Sequence, residues 1–161
     1  MRRITMSTSQ RGVVFLDSSI IIRYFIGDIS AKEVLEGHSK FAINSIVYSE
    51  VAFNLLKLLY VDKYGGYRFY DMKSALSGRD TDLLKGYRIL YSFIDELLSE
   101  EKLAFLPITL DVIEEATRIA AEYGLLPNDS LIVATCKHYG INTIATFDEV
   151  FKRIPWIRVI P

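Results

Sequence analysis

Four acidic residues stand at the ends of predicted strands or near the beginnings of predicted helices. They are Asp17, Glu50, Asp129 and Asp148. Asp17 follows the apolar run Val13–Leu16, and Asp148 follows a short strand predicted over Thr143–Ala145. In open parallel sheets, ligands bind outside the carboxyl ends of the strands. We therefore expect these acids to face one common site.

Asp129 is the most informative of these acids. At about 100° per residue it shares a helix face with Val133, Cys136 and Gly140 rather than with Lys137. A charge on an apolar face needs a partner, because burying it alone is very costly. Carboxylates without matching His or Cys ligands favour Mg²⁺ or Mn²⁺ over zinc. Such an acidic pocket would hold one or two ions that activate water and stabilise the charge growing on a phosphodiester.

Each acid also has a simpler interpretation. Asp17 and Asp148 suit helix N-caps, and Asp129 suits the first turn of a helix, where the helix dipole favours an acid. Glu50 begins a narrow polar stripe that continues through Asn54 and Lys57. The functional interpretation depends on the set, because clustered carboxylates repel one another unless a cation holds them.

An aspartyl-phosphate enzyme or receiver domain also places an Asp after a strand. The phosphatase version requires a second acid two residues later, where this chain has Ser19. A receiver domain requires a Lys late in the sheet, and residues 143–147 contain none. Both alternatives therefore fit the sequence less well than a metal site does.

The order of the predicted elements indicates the fold. Short apolar strands alternate with amphipathic helices, which predicts a three-layer α/β/α domain with a mostly parallel central sheet. We expect residues 1–11 to form a flexible polar tail and residues 12–161 to form a single domain. Trp156–Ile160 is predicted as the closing edge strand, because prolines flank it.

Three local predictions concern the helices. Ser30 is expected to cap a short helix over 30–36, with Glu33 completing a capping box. Residues 60–70 are expected to form an irregular patch rich in Tyr and Gly. Thr109 is expected to cap a helix that ends at Gly124; its predicted inward residues are Ile113, Ala116, Ala120 and Tyr123.

Composition narrows the class of protein. The 19 basic and 20 acidic residues nearly cancel, so net charge indicates no particular partner. A single cysteine, Cys136, excludes an intramolecular disulfide. The sequence has neither an apolar run long enough for a membrane span nor a secretory signal. We expect a cytoplasmic protein.

The motifs together resemble the PIN domain, the fold of VapC-type toxin ribonucleases. The matching pattern is a strand ending in Asp-x-Ser, a Ser-x-x-x-x-Glu helix, then Asp-x-x-Ile-x-Ala-x-Cys and Thr-x-Asp, spread between Val13 and Phe151. The resemblance implies an endoribonuclease that depends on Mg²⁺ or Mn²⁺. It implies that the metal-binding acids are Asp17, Glu50, Asp129 and Asp148, and that the polar residues supporting them are Ser19 and Thr146. It also implies an RNA substrate, a small antitoxin protein as partner, and a homodimer.

The chain departs from the PIN pattern at two places. Such toxins often carry a polar residue before the last acid and a further Asp shortly after it, where this chain has Phe147 and Val150. Because this fifth carboxylate is missing, the sequence leaves open whether one or two metal ions bind. It also leaves open an alternative, a PIN-like module that binds RNA or protein without turnover.

The basic, aromatic segment over 62–80 has two interpretations. Aromatic rings and basic side chains are the usual means of binding single-stranded RNA. On that interpretation the candidate RNA contacts are Lys63, Tyr67 and Arg68. The other interpretation, and our expectation from the sequence, is a loop packed against a dimer mate or against the protein's own helices.

Overall fold

Five short strands form one parallel sheet in the computed structural model, which describes residues 12–161. The strands are β1 (Val13–Leu16), β2 (Lys40–Ile43), β3 (Leu103–Phe105), β4 (Thr143–Ala145) and β5 (Arg158–Ile160). Their order across the sheet is β3-β2-β1-β4-β5, and all four pairings are parallel. The predicted parallel sheet is confirmed, with β5 at an edge. The predicted tail over residues 1–11 lies outside the described residues.

Helices cover both faces of the sheet. They are α1 (Ser18–Phe25), α2 (Ile29–Gly37), α3 (Ser45–Tyr64), α4 (Phe69–Ser77), α5 (Thr81–Ser99), α6 (Leu110–Tyr123) and α7 (Pro127–His138), with a 3-10 helix at Glu149–Arg153. Because crossovers between parallel strands are right-handed, the connections through β1, β2 and β3 place α1 to α5 on one face. The return from β3 to β4 places α6 and α7, which pack on each other, on the other face. The predicted three-layer architecture is confirmed.

Central strands are buried on both faces, which explains their continuous apolar sequence. Phe15, Phe41 and Ile144 lie in the main core at 1% exposure or less. Each such side chain contributes about 1.5–3 kcal/mol through burial. Within the described residues, no helix has both the length and the apolar character that a membrane span requires.

The segment after residue 60 is more regular than predicted. Helix α3 continues to Tyr64 and ends at Gly65, whose φ of 77° is the left-handed conformation of a helix C-cap. Helix α4 then occupies residues that we expected to be irregular. A second apolar cluster explains the difference, because it gives α4 a buried face; its members are Leu56, Tyr60, Met72 and Leu83.

Two further local predictions are wrong. Asp28, not Ser30, caps α2, because its Oδ1 accepts a hydrogen bond from the Ala31 N–H at 3.0 Å. The buried face of α6 contains Val112, Ala116 and Ile119, whereas Ile113 is 47% exposed. The apolar residues of α6 fit two overlapping stripes along the helix. Packing buries the stripe that contains Val112 and Ile119, not the predicted stripe that contains Ile113.

Asn44 connects the two helical layers at the end of β2. Its side chain is completely buried, and its Oδ1 accepts hydrogen bonds from the N–H groups of Ile46 and Val47 at 3.1 and 3.2 Å. Its Nδ2 donates to Thr135 Oγ1 of α7 at 3.0 Å. One amide therefore caps α3 and fixes α3 against α7.

We predict that Asn44→Ala lowers the free energy of unfolding by about 3 kcal/mol, the combined effect of a lost N-cap and of buried polar groups left without partners. Urea denaturation would measure it. Thr109→Ala is the matched control, because Thr109 caps α6 through a 3.5 Å contact at an exposed position and should cost only about 1 kcal/mol. Equal losses in the two variants would contradict a special role for Asn44.

Candidate metal and catalytic site

Asp17 extends from the carboxyl end of β1 into a set of hydroxyl donors. It is 6% exposed, and its Oδ2 accepts hydrogen bonds from Ser19 Oγ and Thr146 Oγ1, both at 2.7 Å. The Ser19 N–H also points to Oδ2 at 3.4 Å, so Asp17 is the N-cap of α1. The carboxylate is therefore held in one orientation.

Ser19 and Thr146 join the ends of the neighbouring strands β1 and β4. The Phe147 N–H donates to Ser19 Oγ at 3.1 Å, and the Asp148 N–H donates to Thr146 Oγ1 at 2.9 Å. Asp148 in turn caps the 3-10 helix, because its Oδ1 accepts from the Val150 N–H at 2.9 Å. The two hydroxyls thus fix the loop that carries Asp148 next to Asp17.

Glu50 and Asp129 come from helices on the two faces of the sheet. Glu50 lies in the second turn of α3, and Asp129 lies in the first turn of α7. A residue that sequence reasoning missed connects these helices, because Asn128 Nδ2 donates to Glu50 Oε1 at 2.7 Å. The Pro-Asn-Asp beginning of α7 was visible in the sequence, but a contact across 78 residues was not.

The electrostatics of Asp129 indicate that the four acids lie near one another. Burial and then the charges of Asp148, Asp17 and Glu50 raise the pKa of Asp129 to about 6. Within residues 12–161, its carboxylate accepts no hydrogen bond that would offset this repulsion. The charges of the other three acids therefore all act on the carboxylate of Asp129.

The donor set fits a hard divalent cation. Within the described chain, Asp17 Oδ1, Glu50 Oε2 and Asp148 Oδ2 accept no hydrogen bond, so each acid keeps one oxygen free. The side chains do not converge closely enough to coordinate an ion as they stand. Among the described residues, no group of three or more His, Cys, Asp or Glu residues could hold a metal ion.

Arg23 is a second residue that sequence reasoning missed. Its guanidinium carbon lies 3.9 Å above the centre of the Phe147 ring, and the guanidinium also pairs with Asp28 at 3.6 Å. This cation–π contact places a positive charge beside the loop that carries Asp148. Phe147, which replaces the polar residue of the PIN pattern, therefore positions a cation at the rim of the site.

The three candidate RNA contacts have different surroundings. Lys63 Nζ lies 2.9 Å from Asp80 Oδ2 and 3.1 Å from Asp82 Oδ2, so its charge is largely neutralised. Tyr67 is partly buried, with Lys57 Nζ 4.7 Å from its ring centre. Arg68 is exposed and forms no ion pair within residues 12–161. Arg68 is therefore the best placed of the three for a phosphate.

Comparison with known proteins gives one family. The family model described as PIN domain matches residues 14–157. Ribonuclease VapC6 of Methanocaldococcus jannaschii is 34% identical over 152 residues, which cover 91% of this chain and 95% of the relative. Ribonuclease VapC2 of the same organism is 33% identical over 167 residues, which cover 99% of both chains.

Solved structures agree with the fold. A chain of a toxin-antitoxin complex from Klebsiella pneumoniae superimposes with a TM-score of 0.60 at 21% sequence identity. The superposition covers 92% of this chain and 96% of that one. At this identity the likeness supports the architecture.

We predict that Asp129→Asn stabilises the metal-free protein at neutral pH. The folded-state pKa of about 6 exceeds the ordinary value of 3.8, so the ionised carboxylate destabilises the fold. This cost is absent below pH 3.8, grows up to about pH 6 and is complete above it. In EDTA, the Tm of the variant should exceed that of the wild type by about 2–4 °C at pH 7.5 and match it near pH 4.

Asp111→Asn is the control for this measurement. Asp111 is an exposed acid in the first turn of α6, so its replacement should leave Tm unchanged or lower it slightly through the helix dipole. A Tm for Asp129→Asn below that of the wild type at pH 7.5 would show that the four acids do not repel one another in solution.

Proposed function

The chain belongs to the PIN domain family, and we propose that it is a metal-dependent endoribonuclease that hydrolyses RNA phosphodiester bonds. One observation carries the proposal: hydrogen bonds hold Asp17 beside the loop that carries Asp148, and they hold Glu50 to Asn128, the chain neighbour of Asp129. The two Methanocaldococcus relatives, which are named as ribonucleases, support the choice of RNA.

Asp17, Asp129 and Asp148 are the residues proposed to hold Mg²⁺ or Mn²⁺, and their free oxygens are the ligands that such ions prefer. A bound ion would supply an activated water and stabilise the negative charge that develops on the phosphate. Glu50, held by Asn128, completes the ligand set or orients the water. Ser19 and Thr146 keep Asp17 in position by hydrogen bonding its Oδ2.

Arg23 adds a charge of the opposite sign at the rim of this acidic site. An RNA phosphate that approaches four carboxylates is repelled unless positive charge meets it. The stacking of Arg23 on Phe147 keeps a guanidinium near the approach to Asp148. The N–H groups of Arg23 that do not face Asp28 would donate to phosphate oxygens in a fixed geometry.

We predict that Asp17→Asn lowers RNA cleavage by more than about 100-fold, because it removes a direct ligand, whereas changing a group behind a ligand already costs 10–100-fold. EDTA should abolish cleavage by the wild type, and Mg²⁺ or Mn²⁺ should restore it. Mn²⁺ titration followed by electron paramagnetic resonance should show weaker binding in the variant.

Asp95→Asn is the matched control, because Asp95 is an exposed acid on α5 that is remote in sequence from the four site acids. It should cleave RNA and bind Mn²⁺ as the wild type does. Unchanged metal-dependent cleavage in Asp17→Asn would remove Asp17 from the mechanism. RNA binding without any Mn²⁺ binding would instead favour the non-catalytic module.

The proposal extends to a small antitoxin protein as partner and to a homodimer. The Klebsiella structure that superimposes on this chain is a toxin-antitoxin complex, which supports an antitoxin. A groove of about 700 Å³ between α1 and α5 combines exposed apolar side chains, among them Tyr24 and Ile89, with the charged side chains of Lys85, Arg88 and Glu96. Exposed apolar side chains rimmed by polar residues are typical of contacts between proteins.

We predict that the product of a short reading frame adjacent to this gene forms a stable complex with the protein and suppresses its RNA cleavage. Co-expression, size-exclusion chromatography with light scattering, and a cleavage assay of the complex would test this. Failure of any adjacent gene product to bind would leave the nuclease proposal standing without the toxin role.

A further inference from the structure

We propose that an aromatic strip beside the acidic site, formed by Phe53, Phe69 and Tyr70, binds the bases of single-stranded RNA while Lys57 and Arg68 bind its phosphates. The proposal rests on the nuclease function and adds the surface along which the substrate strand lies. Packing against the protein's own helices accounts for Tyr60, Tyr67 and Met72, whereas the rings of the aromatic strip remain exposed.

The three rings of the aromatic strip are exposed and adjacent. Phe53 is 41% exposed, Phe69 is 47% exposed and Tyr70 is 79% exposed. The ring centres of Phe53 and Phe69 are 6.4 Å apart, and those of Phe69 and Tyr70 are 5.4 Å apart. Adjacent exposed rings offer a sequence-tolerant stacking surface, because every base has a π-face.

Packing of α4 does not account for this exposure. Helix α4 is anchored by Met72, which is 2% exposed and lies in the second apolar cluster with Leu56 and Leu83. Phe69 and Tyr70 stand in the first turn of α4 and are not part of that cluster. The helix is therefore held by one face while its aromatic residues remain available.

The aromatic strip begins one helical turn from the acidic site. Glu50, Phe53 and Lys57 are spaced i, i+3, i+7 on α3, so they lie on one helix face. With a rise of 1.5 Å per residue, Phe53 is about 4.5 Å and Lys57 about 10 Å from Glu50 along the axis. A strand whose phosphate lies at the carboxylates would therefore continue over Phe53.

The charges beside the aromatic strip suit RNA better than an apolar protein partner. Within residues 12–161 neither Lys57 nor Arg68 forms an ion pair, whereas Lys63 is neutralised by Asp80 and Asp82. Lys57 is held in place over the Tyr67 ring rather than by an acid. Proteins commonly bind single-stranded nucleic acid with exposed aromatic rings beside basic side chains that pair with no acid. We therefore leave Lys63 out of the binding surface.

Binding of a fluorescent oligouridine of about 12 nucleotides, a length within the usual site size, would test the proposal. Anisotropy is measured in EDTA, and a gel checks that the probe stays intact, so the result does not depend on cleavage. Tyr70→Ala and Phe53→Ala should each weaken binding roughly fivefold or more, because base stacking is lost. Tyr70→Trp, which keeps a ring, should bind as the wild type does.

Tyr91→Ala is the matched control for the rings, because Tyr91 is 64% exposed on α5; its affinity should not change. The charges are tested by salt. Arg68→Ala should reduce the slope of log affinity against log salt concentration by about 0.7, the value for one phosphate contact on a single strand. Tyr70→Ala should leave the slope unchanged, and so should Lys32→Ala, which removes an exposed lysine paired with Glu36.

Two results would overturn the proposal. One is equal affinity in Tyr70→Ala, Phe53→Ala and the Tyr91→Ala control, with thermal unfolding showing that all are folded. The other is a change of oligomeric state in light scattering on mutation of the aromatic strip, which would make it a contact between copies of this chain. In both cases the nuclease function is judged separately, by the dependence of cleavage on Asp17 and metal.

Discussion

The parallel pairing of β1 with β4 is the constraint on which the site depends. Leu16 pairs with Ala145, and the Asp17 N–H donates to the Ala145 carbonyl at 3.0 Å. The residues that follow the two strands therefore emerge side by side, although Asp17 and Thr146 are 129 positions apart in the chain. Carboxylates repel one another, so they stay close only where rigid elements hold them. Here the elements are two buried strands, and the hydroxyls of Ser19 and Thr146 complete the connection.

Capping and ligand binding share the same side chains at this site. Asp17 caps α1 through Oδ2, and Asp148 caps the 3-10 helix through Oδ1. In each case the other oxygen accepts no hydrogen bond from the described residues. The two interpretations that the sequence left open for these acids are therefore compatible, because a carboxylate has two oxygens. Asp129, which caps no helix within that range, is the acid on which burial and repulsion act most strongly.

Local signals made most of the fold and the candidate acids predictable. A short apolar run predicted β1, and the beginning of α6 followed from its N-cap residue Thr109. The contacts of Asn128 with Glu50 and of Arg23 with Phe147 were not predictable, because they join residues far apart in sequence. The prediction of the inward face of α6 was wrong for a related reason. Two stripes of the helix were similarly apolar, and only packing against the rest of the protein decides which one is buried.

The second apolar cluster explains both the missed helix and the proposed RNA surface. The stretch rich in Tyr and Gly precedes α4, and α4 itself has only nine residues, so the placement of this helix depends on the burial of Met72 against α3 and α5. That burial uses only part of the aromatic content of the segment, since Tyr60 is buried and Tyr67 is partly buried. Phe69 and Tyr70 remain outside, next to Phe53 on the helix that carries Glu50. Because this cluster is separate from the main core around the sheet, the residues of the proposed RNA surface can vary while the four carboxylates stay in place.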